Sequence, residues 1–190
     1  MLLPEFSPVY SNVRGKRQGG KPMRIAFVGL PRTGKDTAGK YLVDTYNFVR
    51  LAFGDYMKDS YYRANPEMIG KPKNREHMIA WSQPQVEKDP LIWVRHLEKD
   101  FHDLMYRGHE LFVITDLRQP HEEQWARENG FLIVRIVSDS KVTEQRASAL
   151  GEKVGQDLDL SRIQHDYVIS NNGKLADLWS QIDCLVYHTK

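Results

Sequence analysis

Apolar residues along this chain fall into five short runs, separated by longer stretches with helical spacing. The segment MRIAFVGL, residues 23–30, is almost uniformly apolar and ends at Gly29, as expected for a strand buried on both faces. FVRLAF (48–53), ELFVITD (110–116), FLIVRIV (131–137) and HDYVISNNG (165–173) predict four more strands. Between them, Ala38, Tyr41, Leu42 and Tyr46 recur at helical spacing after the first run. GDYMKDSYYRA predicts a helix opening at Asp55, and REHMIAWSQPQVEKD a helix up to Pro84. PLIWVRHLEKDFHDLMYRG is the clearest amphipathic helix, with Pro90 in its first turn and Gly108 as its stop. QPHEEQWARENG, KVTEQRASALG and KLADLWSQIDCLVYH supply the remaining helices, and the polar EKVGQDLDLSRIQ is expected to be mobile. Strands alternating with helices predict parallel βαβ units and an α/β sandwich in one domain.

Composition changes this picture little. Its 190 residues suit a single core, and 41% hydrophobic with 27% charged residues is ordinary for a globular chain. No run approaches a membrane span. The lone cysteine, Cys184, excludes an internal disulfide and reads as a small core residue of the last helix. A reducing, cytoplasmic compartment fits. The net charge of +2 misleads, because residues 1–22 hold Arg14, Lys16, Arg17 and Lys21 against Glu5. The remaining chain carries 23 basic and 24 acidic residues. That near-neutral body argues against a nucleic-acid partner. Residues 1–22 read as a flexible leader, and 23–190 as the folded domain, with Met23 a sensible first residue. Trp81, Trp93, Trp125 and Trp179 read as packing residues, and the seven histidines lack metal-ligand spacing. Tyr61, Tyr62 and Arg63 fit either a base pocket or a helix surface.

The chemistry concentrates in GLPRTGKDT, residues 29–37. Gly29, Gly34 and Lys35 have the spacing of a phosphate-binding loop, between a predicted strand and helix. Backbone N–H groups of such a turn, together with the helix N-terminus, favour an anion, and Lys35 is placed to reach the β- and γ-phosphates of a triphosphate. The expected hydroxyl residue is replaced by Asp36 and arrives one position later, as Thr37. A carboxylate there can hold magnesium directly or through water, accept a proton, or simply favour the positive helix end. Thr37 can lend its hydroxyl to the ion or cap the helix. Asp116 ends the third strand and faces the same crevice, suited to the metal or its waters. Arg118, two residues later, suits phosphate. Arg32 lies in the loop, and Arg146 is placed to close over a transferring group.

RTGKDT (32–37), LAFGDYMKD (51–59), WVRHL (93–97), ITDLRQPHE (114–122), TEQRASALG (143–151) and DYVISNNGKLADL (166–178) together resemble the bacteriophage deoxynucleoside monophosphate kinases. These belong to the wider nucleoside monophosphate kinase family, near dephospho-CoA kinase and phosphomevalonate kinase. The resemblance implies a three-layer P-loop NTPase fold: a five-stranded parallel sheet with helices on both faces, a substrate-binding helical region over 54–89 and a small lid over 140–160. It implies ATP as co-substrate, Mg²⁺, and transfer of the γ-phosphoryl to a (deoxy)nucleoside 5′-monophosphate. Gly29, Arg32, Thr33, Gly34, Lys35, Asp36 and Thr37 would hold ATP, and Asp36, Thr37 and Asp116 the metal. Asp55, Lys58, Arg63, Arg118 and Glu122 would serve the acceptor, and Arg146 would be the lid arginine. A homodimer is a further implication. The middle helix lacks the family's Gly-Thr followed by Arg, with Ser82 and Gln83 near its place, and the lid has one clear arginine, with Arg162 a distant second. Alternatives are a kinase of hydroxymethylated bases in DNA, a kinase of a small non-nucleotide metabolite, and a nucleotide-binding switch or ATPase. The last is disfavoured because no Asn-Lys-x-Asp guanine motif occurs.

Overall fold

A computed structural model describes residues 22–72, 74–151 and 159–188. The leader expected over 1–22 therefore lies outside the described residues apart from Pro22, as does the middle of the expected lid, 152–158. Five strands form one parallel sheet: β1 (Met23–Val28), β2 (Val49–Leu51), β3 (Leu111–Leu117), β4 (Leu132–Val137) and β5 (Tyr167–Ser170), in the spatial order β2-β3-β1-β4-β5. Seven helices connect and cover it: α1 (Lys35–Tyr46), α2 (Phe53–Ala64), α3 (Arg75–Lys88), α4 (Ile92–Tyr106), α5 (Pro120–Glu128), α6 (Ser140–Ser148) and α7 (Leu175–His188). The α/β sandwich expected from the alternating pattern is observed.

The sheet buries both faces, which is why its strands read as continuous apolar runs. Ile25, Phe27 and Val134 pack under Ala38 and Leu42 of α1 and Leu178 and Ile182 of α7. Ala26, Val28 and Ile133 face Leu97 and Phe101 of α4 and Trp125 of α5. Trp179 is half-buried and stacks on Tyr41 with centroids 4.4 Å apart, and Trp81 packs on the buried Tyr61.

One irregularity lies at the carboxyl end of β3. Ala26 pairs with Ile114 but Val28 pairs with Leu117, so Phe27 stands opposite two residues, Thr115 and Asp116. This bulge reverses the alternation of side chains. Val113 joins the α1/α7 core, yet Leu117, four positions on, joins the α4/α5 core.

Several expectations need correction. α2 starts at Phe53, two residues before Asp55, because Asp116 Oδ1 and Oδ2 accept the N–H groups of Phe53 and Gly54 at 3.0 and 2.8 Å. The cap comes from a distant strand, which local sequence does not reveal. α3 runs through Pro84 to Lys88 instead of stopping there. Pro84 lies on an exposed face, and Ser82 Oγ and Gln85 Nε2 donate to the carbonyls of Ile79 and Trp81 around the break. Pro90 precedes α4 and its N-cap residue Leu91 instead of entering the first turn. Cys184 lies on α7 but is exposed, because Leu178, Ile182, Leu185 and Val186 form that helix's buried face. Part of the segment expected to be mobile is packed: Leu160 and Ile163 are buried, and Arg135 donates to the Leu160 carbonyl at 2.6 Å.

Gly39 allows α1 to approach β3. A Cβ at Gly39 would stand 2.3 Å from Thr115 Cγ2. Replacing Gly39 with Ala is expected to lower stability by about 1–3 kcal/mol, the usual cost of overpacking, despite alanine's better helix propensity. Urea unfolding checks this; an unchanged or raised midpoint would show that β3 can retreat.

Candidate active site

The phosphate loop connects β1 to α1. Gly34, the N-cap of α1, has φ of +100°, and a Cβ there would lie 2.3 Å from Asn171 Nδ2. Both the backbone conformation and the close approach require glycine. Arg32 also has positive φ, at 63°. Thr33 is buried, with its hydroxyl donating to the Leu30 carbonyl at 2.9 Å. Lys35 Nζ folds back under the loop and donates to the carbonyls of Gly29 and Leu30 at 2.8 and 2.7 Å. Burial, and then the nearby charge of Arg118, lower the Lys35 pKa to about 8. Asp36 and Thr37 stand exposed on the first turn of α1.

Two residues from outside clamp this loop. Asn171, at the end of β5, donates from Nδ2 to the Thr33 carbonyl at 2.8 Å. Arg146, from α6, donates to the Arg32 carbonyl at 3.1 Å and the Asn171 carbonyl at 3.0 Å. The expected lid arginine is thus brought to the loop, and Asn171 joins it unanticipated. The only hint in sequence was the polar SNNG after a strand. Arg32, Lys35, Thr37, Arg146, Leu150 and Leu175 are among the residues lining a cleft of about 470 Å³ here.

Across β3 the second half of the site takes shape. Asp116 is committed to the first turn of α2, and burial pushes its carboxyl pKa up while the amides of Gly54 and Phe53 pull it down. Arg118 Nε is buried and, among the described residues, has no hydrogen-bond partner. Glu122 turns back to the backbone, with Oε2 accepting from the N–H groups of Arg118 and Gln119 at 2.7 and 2.9 Å. It completes the capping box of α5 and so fixes the turn that carries Arg118. Asp55 bridges two cations: Oδ1 accepts from Lys58 Nζ at 2.7 Å and Oδ2 from Arg50 Nη1 at 2.6 Å. Burial acts to raise the Asp55 pKa, but the bonds from Lys58 and Arg50 outweigh it and hold the carboxyl below its ordinary value. Arg50, from β2, also donates from Nε to Thr115 Oγ1 at 3.1 Å, and nothing in the sequence pattern had marked it.

Arg63 is not gathered with the others. It is exposed near the C-terminal end of α2 and pairs with Asp59 at 2.6 Å. Eight residues separate it from Asp55, about 12 Å along a helix axis. Tyr61 is fully buried and hydrogen-bonded to His77 at 2.6 Å, so it is a packing residue and not a stacking platform.

Residues 84–182, more than half of the chain, match the family model described as deoxynucleotide monophosphate kinase. The chain belongs to the deoxynucleotide monophosphate kinase family. The deoxynucleotide monophosphate kinase of Escherichia phage RB69 is 28% identical over 96 residues, covering 50% of this chain and 36% of the phage protein. A protein of Acanthamoeba polyphaga mimivirus is 23% identical over 186 residues, covering 83% of this chain and 93% of its own length. Among solved structures, shikimate kinase from Bacteroides thetaiotaomicron superimposes with a TM-score of 0.55 at 15% identity, covering 88% of this chain and 98% of its own. This likeness confirms the three-layer P-loop kinase fold for this deoxynucleotide monophosphate kinase family member. No helix among the described residues is long and apolar enough to cross a membrane.

The Glu122 carboxyl is pushed up to about 7, chiefly by burial. A raised folded pKa means that the native state holds a proton which the unfolded state releases above about 4.5. That stabilisation is complete below the unfolded pKa and is lost as pH rises toward 7. Glu122→Gln keeps the capping geometry without the titration. The wild type is expected to lose stability relative to Glu122→Gln between pH 4.5 and 7, measured by urea unfolding across that range. A gap that stays constant would mean that the two amide bonds hold the carboxylate ionised.

Proposed function

We propose that this protein transfers the γ-phosphoryl group of ATP to a (deoxy)nucleoside 5′-monophosphate, giving the diphosphate. The observation that carries the proposal is the convergence of two cations, Lys35 under the phosphate loop and Arg118 at the end of β3. The charge of Arg118 helps lower the Lys35 pKa, and Arg118 Nε is buried without a partner among the described residues. A polyphosphate and a monophosphate meeting between them would neutralise both.

On the donor side, the cleft beside Arg32, Arg146 and Asn171 receives ATP. Its triphosphate lies along the loop N–H groups and the N-terminus of α1. Lys35 then exchanges the carbonyls of Gly29 and Leu30 for phosphate oxygens. The exposed Leu150 and Leu175 offer apolar walls for the base. On the acceptor side, Arg118 and Lys58 hold the monophosphate. Arg146 stabilises charge at the transferring group once released from the Arg32 carbonyl. Glu122 acts through the backbone of Arg118, and Asp55 through Lys58.

Magnesium fits the donor set. Asp36, Thr37 and Asp116 offer hard oxygens, two of them carboxylates. That suits an ion held by one or two carboxylates together with substrate phosphates. When bound, Mg²⁺ would supply charge neutralisation and keep Asp36 from repelling the triphosphate. The protein's own contribution is positioning, water exclusion and electrostatic stabilisation.

The test is ADP production with ATP–Mg²⁺ and a panel of nucleoside monophosphates, against DNA, small phosphorylated metabolites and no acceptor. Stimulation by one or more monophosphates is expected, and its absence across the panel refutes the proposal. Lys35→Ala should lower kcat by about 10²–10³-fold or more, as loss of a transition-state cation does. Arg118→Ala should raise the acceptor KM by at least about tenfold with little effect on the KM for ATP. Unchanged constants would remove Arg118 from the acceptor site.

A further inference from the structure

The phosphate loop and the end of β3 leave one charged side chain beside Asp55 unexplained. Arg50 projects from β2, the short edge strand, and is held at two points by two nitrogens of one guanidinium. Nε donates to Thr115 Oγ1 at 3.1 Å and Nη1 to Asp55 Oδ2 at 2.6 Å. The other oxygen of Asp55 receives Lys58 Nζ at 2.7 Å. A carboxylate therefore stands between two cations, one oxygen facing each. The far anchor is rigid, since Thr115 is buried and packs directly against Gly39 of α1. A continuous line of contact thus runs from the helix of the phosphate loop through Thr115, Arg50 and Asp55 to Lys58.

We propose that Arg50 is a positioning residue for the acceptor: it holds Asp55, and through Asp55 it sets the Lys58 ammonium where the acceptor's 5′-phosphate binds. This rests on the phosphoryl-transfer reading given above. With no acceptor, the Asp55 carboxylate satisfies both cations. When a phosphate dianion arrives, Lys58 has three N–H groups to share between phosphate and Asp55. Asp55 stays in place because Arg50 continues to hold it. The planar guanidinium spans Thr115 and Asp55 together, which a single lysine ammonium on a flexible stem does not. Remove Arg50, and Asp55 is left to Lys58 alone; the pair then closes on itself and draws the ammonium away from the phosphate. The hydrogen bonds that shape the phosphate loop do not run through this line, because Lys35, Asn171 and Arg146 contact the loop without touching Arg50.

Steady-state kinetics with ATP and the monophosphate varied separately test the proposal. Arg50→Met is expected to raise the acceptor KM by about tenfold, the worth of one charge-assisted hydrogen bond, with the KM for ATP and kcat changed by less than about threefold. Thr115→Val keeps the side chain's shape and deletes only the hydroxyl anchor, so the acceptor KM should rise in the same direction by less. Arg50→Lys should regain the thermal stability lost in Arg50→Met and still show a raised acceptor KM. The effects of Arg50→Met and Asp55→Asn on the acceptor KM should not add, because both act through the same line. A merely structural role predicts a smaller active fraction, hence lower kcat with both KM values unchanged, and full recovery in Arg50→Lys. That outcome, or an ATP KM rising in step with the acceptor KM, overturns the proposal. If Arg50→Met does not fold, Thr115→Val decides: an unchanged acceptor KM overturns it. Absence of monophosphate-dependent turnover in the wild type is a separate result, and it fails the functional reading on which this role depends.

Discussion

The site depends on the carboxyl end of β3 more than on any other segment. A single extra residue there, opposite Phe27, reverses the alternation of the side chains that follow Thr115. Thr115 turns toward α1 and Arg50, Asp116 toward the first turn of α2, Leu117 into the α4/α5 core, and Arg118 comes close enough to Lys35 to disfavour its charge. Regular alternation would have put Leu117 with the α1/α7 core. A bulge next to a binding crevice re-aims side chains at the cost of one ladder pairing. Here that local irregularity lets one strand end reach the helix of the phosphate loop, the start of α2 and the surroundings of Lys35 within four residues.

Asp116 shows how much one contact can organise. Its two oxygens accept the first N–H groups of α2, so the strand that neighbours β1 also fixes the start of the helix bearing Asp55 and Lys58. A carboxylate at a helix N-terminus satisfies orphan donors and complements the positive end of the dipole. Because the cap comes from the sheet and not from the preceding residue, α2 is tied to the site and not merely to its own chain neighbours. Glu122 performs the related task at the start of α5, holding the amides of Arg118 and Gln119 and thereby aiming a partly buried guanidinium.

This explains what could be learned from sequence and what could not. The five strands were legible because a sheet covered on both faces needs uninterrupted apolar runs. The phosphate loop was legible because its constraints are local: Gly34 must adopt positive φ, and Lys35 must follow it. Arg50 was hidden because its partners are Asp55, five positions away, and Thr115, on another strand; neither spacing nor composition distinguishes it from a surface arginine. Asn171 was hidden for the same reason, since it meets Thr33 only through the pairing of β5 with β4. The start of α2 was displaced because its cap is Asp116, and the end of α3 because Pro84, on an exposed face, is accommodated inside the helix at the loss of one backbone hydrogen bond. Leu160 and Ile163 looked like part of a polar loop until Arg135 and the α4/α5 core gave them a place.

The two halves of the cleft consequently differ in how they are built. The half proposed for the donor is assembled from one loop, whose shape is set by its own glycines and then tightened by Asn171 and Arg146 binding its carbonyls. The half proposed for the acceptor is assembled from the ends of two strands, β2 and β3, and from α2, with charges held in place by other charges. Coulombic contacts of partly buried groups fall off with distance and weaken when a partner shifts by an ångström, so such a half needs rigid anchors. The tight packing of Gly39 on Thr115 provides one, and the Asp116 cap provides another. Both anchors lie on the bulged end of β3. Rigidity of β3 is therefore what would allow the lysine and arginine side chains proposed for the acceptor to hold a fixed distance from the phosphate loop.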